Sequence, residues 1–403
     1  MNVFCSLIAF LILSLCSNSV LAINNDVQDL EQLLKQLVNE QRESNNLVGL
    51  GAVVIQNGKV IGPLVSGERK KGSQVLLTDN DKWHISSITK SFTATMIARL
   101  VEKGELSWNT TIKEAFSEVD GLNPGWNSVT LDHLLTHTSG ARRDIPFFDN
   151  FKKTADGLER MMAREKVVIK ILKKKPKITP GDAFKYSNAG YIIAGVMAEK
   201  KTGMPWEELM RQEVFAPLQL QSAGFGSPQD GEEKLSQPWG HWNKNWLSTI
   251  LGMKASNIGK KVGTQSDITP IAGPAGIIHL SLKDLALYAN EHLQGEQGRG
   301  SLLKTETFQR LHHPSKNNYA YGWYTDPQQK LGWGTVYRHT GSNDRWEASL
   351  VILPDINTAI AVTSNESYDI TIQSVQEIIN QLVQPLTESY NQSIQLTAKV
   401  SSH

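Results

Sequence analysis

Apolar residues change their spacing along this chain, and the change predicts strands near both ends with helices between them. Val27, Leu30, Leu34 and Leu37 recur at helical spacing, so an amphipathic helix should run to the polar pair Asn45-Asn46. Ala52 to Ile55 and Val60 to Val65 then read as two strands joined at Asn57-Gly58, a pair suited to the positive φ angles of a type I′ turn. The far end repeats the scheme. Strand-like runs fall at Val336 to His339, Ala348 to Leu353 and Thr358 to Thr363, and Val375, Ile378, Ile379 and Leu382 then mark one face of a helix. Short hairpin connections imply antiparallel pairing, so the expected fold class is α/β: one antiparallel sheet built from both chain ends and flanked by helices.

Residues 105–270 lack this strand pattern and read as helices and long loops, with helical stretches at Thr130 to Leu135, Gly190 to Lys201 and Trp206 to Phe215. They are expected to form a mainly helical lobe inserted against the sheet, with a ligand crevice between the two parts. The division is then 23–104 plus 271–385 for the α/β part, 105–270 for the lobe, and 386–403 for a polar tail without periodicity, expected to be loose.

Composition narrows the class. With 403 residues, 40% hydrophobic and 20% charged, the chain can bury a large core. A formal net charge of +1 gives no global field toward nucleic acid or an anionic membrane, and no nucleic-acid motif stands out. The locally basic run from Lys152 to Lys177 reads as a solvated helix face, with attraction to a polyanionic substrate as its rival. Val3 to Leu15 is apolar, Ser17-Asn18-Ser19 breaks the run, and Val20-Leu21-Ala22 offers small residues for cleavage, so residues 1–22 are expected to be a signal peptide. No Lys or Arg precedes Lys35, a departure from the usual positive start. The apolar run falls short of the roughly 20 residues a bilayer requires, which favours cleavage and export to the periplasm or medium over an uncleaved anchor. Both cysteines, Cys5 and Cys16, lie in this segment, so the cleaved chain carries no thiol. Lipidation at Cys16 is disfavoured by the bulk of Leu15.

Three short motifs carry chemistry. Ser87-Ile88-Thr89-Lys90 opens a segment in which Ile88, Phe92, Met96 and Leu100 step by four toward Gly104, so Ser87 and Lys90 share a helix face one turn apart. An amine there can take the serine proton only if burial or a nearby cation brings its pKa down from about 10.4. The competing reading makes Ser87 a helix N-cap and Lys90 a surface residue. Tyr186-Ser187-Asn188 follows the turn signal Pro180-Gly181 and precedes a helix; Tyr186 could share proton transfer with Lys90, and Asn188 could hold a substrate carbonyl or Lys90 itself. His339-Thr340-Gly341 ends a strand beside Ser342; there Gly341 would let a substrate backbone approach, and the N–H groups of Ser87 and Ser342 could form an oxyanion hole. Two motifs have decoys. Ser301-Leu302-Leu303-Lys304 follows a glycine-rich loop, and Tyr288-Ala289-Asn290 lies in a helix started by Ser281 with Asp284 closing a capping box. His133 and His137 stand four apart, but no third ligand is apparent, so no metal is expected. No cofactor motif stands out. Trp239, Trp242 and Trp246 cluster and could wall a pocket or pack in a core.

With these residues in order, the chain resembles the penicillin-recognising serine hydrolases: class C β-lactamases, D-alanyl-D-alanine carboxypeptidases, D-aminopeptidases and related esterases. The resemblance also includes Trp83-His84-Ile85-Ser86-Ser87, Leu134-Leu135-Thr136-His137-Thr138-Ser139-Gly140, Phe215-Ala216-Pro217-Leu218 and Gly273-Pro274-Ala275-Gly276. It implies a β-lactamase/transpeptidase-like fold, Ser87 as acylated nucleophile, Lys90 and Tyr186 as the proton-transfer pair, Asn188 as a carbonyl contact, and His339 with Thr340 facing the substrate from an edge strand. Class C β-lactamases usually carry Lys where this chain has His339, which is mostly neutral at pH 7. That difference favours a D-amino-acid peptide or ester over efficient β-lactam hydrolysis. A β-lactamase, or a non-catalytic cell-wall binding protein keeping the fold, are the alternatives.

Overall fold

The computed structural model describes residues 27–146, 149, 154–228, 235–243, 261–264 and 268–401. The expected signal peptide, with Cys5 and Cys16, lies outside the described residues, as does Trp246. The strands are β1 (Gly49–Gln56), β2 (Lys59–Gly67), β3 (Lys82–His84), β4 (Gly224–Phe225), β5 (Gly240–Asn243), β6 (Lys261–Thr264), β7 (Ile278–Ser281), β8 (Tyr324–Thr325), β9 (Tyr337–Ser342), β10 (Glu347–Leu353) and β11 (Thr358–Ser364). The helices that place the site are α1 (27–44), α2 (Thr89–Glu102), α3 (Leu131–Leu135), α4 (Leu158–Leu172), α5 (Asn188–Thr202), α6 (Trp206–Met210), α7 (Leu282–Gly295), α8 (Thr305–His312) and α9 (Asp369–Ser401).

The six-stranded sheet runs β2-β1-β11-β10-β9-β8 and is antiparallel throughout. Ala52 opposite Val362 and Ile55 opposite Ala359 join the two chain ends at its centre. Asn57 (φ 51°) and Gly58 (φ 77°) supply the two left-handed residues that the β1–β2 turn needs.

Period-two alternation divides the sheet between two cores. Leu50, Ala52, Val54, Val351, Leu353, Ile360 and Val362 pack with Leu34 and Leu37 of α1 and Ile378, Ile379 and Leu382 of α9. Val53, Ile55, Leu350, Ile352 and Ala361 point the other way, into a core with Phe92 and Met96 of α2 and Leu282 and Leu285 of α7. The terminal helices therefore cover one face. The face that carries the chemistry is covered by α2 and α7.

Two local expectations are corrected. The C-terminal helix does not stop at Pro385: helical backbone continues to Ser401. Proline removes the donor to the Gln381 carbonyl, but Leu386 is buried against the α1–α9 core, and that packing carries the helix past the proline. The capping box on α7 is only half formed. Ser281 accepts from the Asp284 N–H at 3.2 Å, but the Asp284 carboxylate instead accepts from the N–H and hydroxyl of Ser222, both at 2.6 Å. Among the described residues, no helix is long and apolar enough to cross a membrane.

Candidate active site

Helix α2 is preceded by a single tight turn, Ser86–Ile88, and Ser87 sits on it rather than capping a helix. Ser86 holds a left-handed backbone (φ 46°), unusual for a residue with a β-carbon, and His84 fixes it: the imidazole Nδ1 accepts from the Ser86 N–H at 3.1 Å and lies 3.1 Å from its hydroxyl. Strain immediately before Ser87 thus aims its side chain out of the core.

The Lys90 side chain is fully buried one turn later, with its amine 3.0 Å from Ser87 Oγ and donating to the Ala275 carbonyl at 2.7 Å. Burial, which disfavours the charged ammonium, draws its pKa from 10.5 to about 7; Asp144 opposes that shift and Arg143 adds to it. The Tyr186 hydroxyl reaches the same Ser87 oxygen at 3.0 Å. Burial pushes that phenol up to about 12, so it stays protonated at neutral pH. Lys90 can therefore lose its proton near neutrality, whereas Tyr186 cannot. The phenol is held by its neighbours: the His137 ring packs 4.5 Å from it, and His137 Nδ1 accepts the Ser187 N–H at 3.2 Å. Ser187 caps α5 through Gly190 N–H, which sets Asn188 at the first turn.

The structure brings Ser87, Lys90 and Tyr186 into contact and separates some of the other expected roles. Gly341 does make room at β9, but for the protein itself: a β-carbon there would lie 2.0 Å from the Ile85 carbonyl oxygen and 3.0 Å from Ser87 N. The strand edge is thereby pressed onto the turn that carries Ser87, rather than leaving the gap for substrate that the sequence suggested. His339, on the same side of the pleat as Gly341, is buried with its ring beside Tyr319 and Tyr324. Its Nδ1 donates to the Thr340 carbonyl at 2.6 Å, and burial together with Lys90 lowers its pKa to about 3, so it is neutral. The side chains of Thr340 and Ser342 are exposed and alternate to the other side of the pleat; the Ser342 hydroxyl bonds Ser367, which in turn donates to Glu347. Asn188 donates to Asp144 at 2.6 Å.

Arg143, Asp144 and Ala275 escaped the sequence reading as parts of the site. Arg143 and Asp144 lie three and four positions past the run Leu134 to Gly140, and that proximity was the available signal. The Arg143 guanidinium stands 5.9 Å from the Tyr186 ring and is largely exposed. Among the described residues no cluster fit for a metal occurs, and the two histidines do not share a helix: His133 lies on α3, whereas His137 lies beyond its end with a left-handed backbone (φ 60°). His133 accepts the Thr130 N–H in the cap of α3, while His137 serves Ser187. Of the clustered tryptophans, the two described ones lie outside the core: Trp242 is exposed, and the half-buried Trp239 lies under the Lys70 ammonium at 4.0 Å. The decoys have other partners. Ser301 donates to Glu291 while Lys304 is exposed, and Tyr288 stacks on Phe92 at 3.6 Å in the core.

The fold and the Ser87 site place the protein among the penicillin-recognising serine hydrolases. The Beta-lactamase family profile matches residues 34–378, and the chain belongs to that family. Protein flp of Staphylococcus aureus (strain MW2) is 22% identical over 359 residues, covering 88% of this chain and 67% of that protein. A Beta-lactamase of Pseudomonas fluorescens is 24% identical over 357 residues, 84% of this chain and 94% of its own. The D-amino acid amidase of Ochrobactrum anthropi SV3 superposes with a TM-score of 0.70 at 18% identity, over 90% of this chain and 99% of its own. The octameric penicillin-binding protein homologue of Pyrococcus abyssi gives 0.69 at 24%, over 87% and 76%. At these identities the two solved structures speak to the fold.

Proposed function

We propose that the protein is an exported hydrolase that forms an acyl-enzyme on Ser87 with an amide or ester substrate, a D-amino-acid peptide or ester before a β-lactam. The carrying observation is a single oxygen, Ser87 Oγ, 3.0 Å from both an amine with a pKa near 7 and a phenol that keeps its proton. As Oγ attacks the substrate carbonyl, neutral Lys90 takes the serine proton. Negative charge develops on the carbonyl oxygen, where the N–H of Ser87 at the front of α2 and the β9 backbone beside Gly341 can receive it. The C–N or C–O bond then breaks, and the leaving group takes a proton from the Tyr186 hydroxyl, which Lys90 replenishes. In the second half, water attacks the ester, gives its proton to Lys90, and Ser87 recovers its own. Asn188, with Asp144 and Arg143 at the rim, is the carbonyl contact in this reading.

Neutral His339 supports the substrate preference, because it supplies no fixed positive charge for the carboxylate of a β-lactam. A fluorescent fluorophosphonate tests the proposal: it should label the wild type at Ser87 and leave Ser87→Ala unlabelled. Equal labelling of the two proteins removes Ser87 from the role. A turnover comparison across D-alanyl peptides, short acyl esters and nitrocefin tests the substrate class.

A further inference from the structure

Arg164 projects from α4 into the interior with no exposed surface and meets two buried carboxylates, Glu199 of α5 and Glu207 of α6. Arg160 adds a second, longer contact to Glu207 at 3.4 Å. Buried ion pairs of this kind are weak sources of stability, because desolvation of the charges offsets their attraction. What a guanidinium offers instead is a rigid fork of donors whose directions are fixed. Here the fork does more than satisfy carboxylates: Nε donates to the Ile271 carbonyl and Nη2 to the Pro270 carbonyl, both at 3.2 Å.

Those two carbonyls begin the short segment that supplies the acceptor for Lys90. Pro270–Ala272 forms one tight turn, Gly273–Gly276 the next, and the Ala275 carbonyl at its end receives the Lys90 amine at 2.7 Å. Helix α2 grips the other side: the Thr93 hydroxyl donates to the Pro274 carbonyl at 2.8 Å, and the Thr89 hydroxyl accepts the Ile278 N–H at 3.1 Å. A β-carbon on Gly273 would sit 3.0 Å from Arg164 Nη2, so the backbone is packed against the guanidinium. The segment is thus clamped between α2, which carries Ser87 and Lys90, and the charged cluster of α4, α5 and α6.

We propose that Arg164 is a positioning residue for the proton-transfer group: it fixes the Pro270–Gly276 segment so that the Ala275 carbonyl holds the Lys90 amine against Ser87. The inference rests on the reading of Lys90 as the base. Loss of the clamp lets the Ala275 carbonyl drift. The ammonium then loses its acceptor, which lowers the pKa of Lys90 further, and the neutral amine loses its aim.

The test uses Arg164→Met/Glu199→Gln/Glu207→Gln, which removes the cation and both carboxylates together and so leaves no uncompensated charge from the trio, alongside Arg164→Lys, which keeps the charge without the fork. Thermal melts establish that each variant is folded. In the triple variant kcat on a short acyl ester should fall by about 10²-fold, the loss typical of an ångström-scale misplacement, with KM little changed. The acid limb of the rate of Ser87 labelling by fluorophosphonate should also move to lower pH, with Arg164→Lys intermediate in both readouts. A folded triple variant with the wild-type kcat and the wild-type acid limb overturns the positioning role. A wild type that is not labelled at Ser87 instead overturns the underlying assignment, so the two failures are distinguishable. If the triple variant does not fold, Arg164→Lys decides: wild-type kcat and an unmoved limb in that protein refute the proposal.

Discussion

The Lys90 amine lies 3.0 Å from Ser87 Oγ while its pKa is held near 7, so the residue that touches the nucleophile is also one that can accept its proton at neutral pH. That pairing carries a definite pH dependence. Lys90 acts in its neutral form, so acylation of Ser87 should rise as pH increases through about 7 and then level off. Lys90→Ala should lower the plateau by about 10²- to 10⁴-fold. The rate of fluorophosphonate labelling from pH 5 to 9 checks both points; an acid limb below pH 5, or a variant that labels at the wild-type rate, contradicts them.

The same burial has a stability consequence of opposite sense. The folded chain holds the Lys90 proton less tightly than the unfolded chain, where the amine has its ordinary pKa of 10.5. Between about pH 7 and 10.5 the unfolded state therefore binds more protons, and this group makes folding more favourable as pH rises through that window. At pH 7 the buried amine costs a few kcal/mol. Lys90→Met, which fills similar space without a charge, should raise the melting temperature at pH 7 and raise it less at pH 10. A melting temperature equal to or below wild type at pH 7 counts against the depressed pKa.

Tyr186 gives a different signature. Its phenol remains protonated up to about pH 12, so ionisation of this group should produce no fall in kcat/KM between pH 8 and 10. Tyr186→Phe removes only the hydroxyl 3.0 Å from Ser87 and should cut kcat by about 10²-fold or more while the fold persists. Steady-state turnover with a parallel melt separates loss of the hydroxyl from loss of structure.

Gly341 and His339 make two contrasting predictions on one strand. Gly341→Ala forces β9 away from Ile85 and Ser87, since the new β-carbon would overlap the Ile85 carbonyl. Labelling of Ser87 should be lost, with a destabilisation of about 1–3 kcal/mol as for other overpacked sites, read by denaturant melts. Wild-type labelling in that variant would show that the strand is free to move. His339→Lys instead changes charge: kcat/KM for nitrocefin relative to a neutral acyl ester should increase, and an unchanged ratio would refute the charge explanation.

Much of the fold was legible because it is locally encoded. The apolar runs of β10 and β11 and the four-residue steps of α2 identify two strands and a helix, and all three are buried on nearly every side, the strands between the two cores. Where the reading failed, a distant partner had intervened. Pro385 punctuates a helix in isolation, but Leu386 docks on a core built in part from residues of α1. Gly341 looked like a gap for substrate because its true neighbours, Ile85 and Ser87, are more than 250 positions away in the chain.

The candidate site divides along the same line. Ser87 and Lys90 are three residues apart, so helical geometry alone puts them on one face, and the sequence by itself determined that pair, the strand pattern around it and the family resemblance. Tyr186 is 99 positions from Ser87, and the Ala275 carbonyl 185 from Lys90. Only the tertiary structure decided that these groups converge, that the surrounding core brings the amine to about pH 7, and that Arg164 anchors the segment carrying its acceptor. The physical reason is that a pKa and a hydrogen-bond partner are properties of an assembled environment: desolvation and direction arise when segments far apart in the chain pack together.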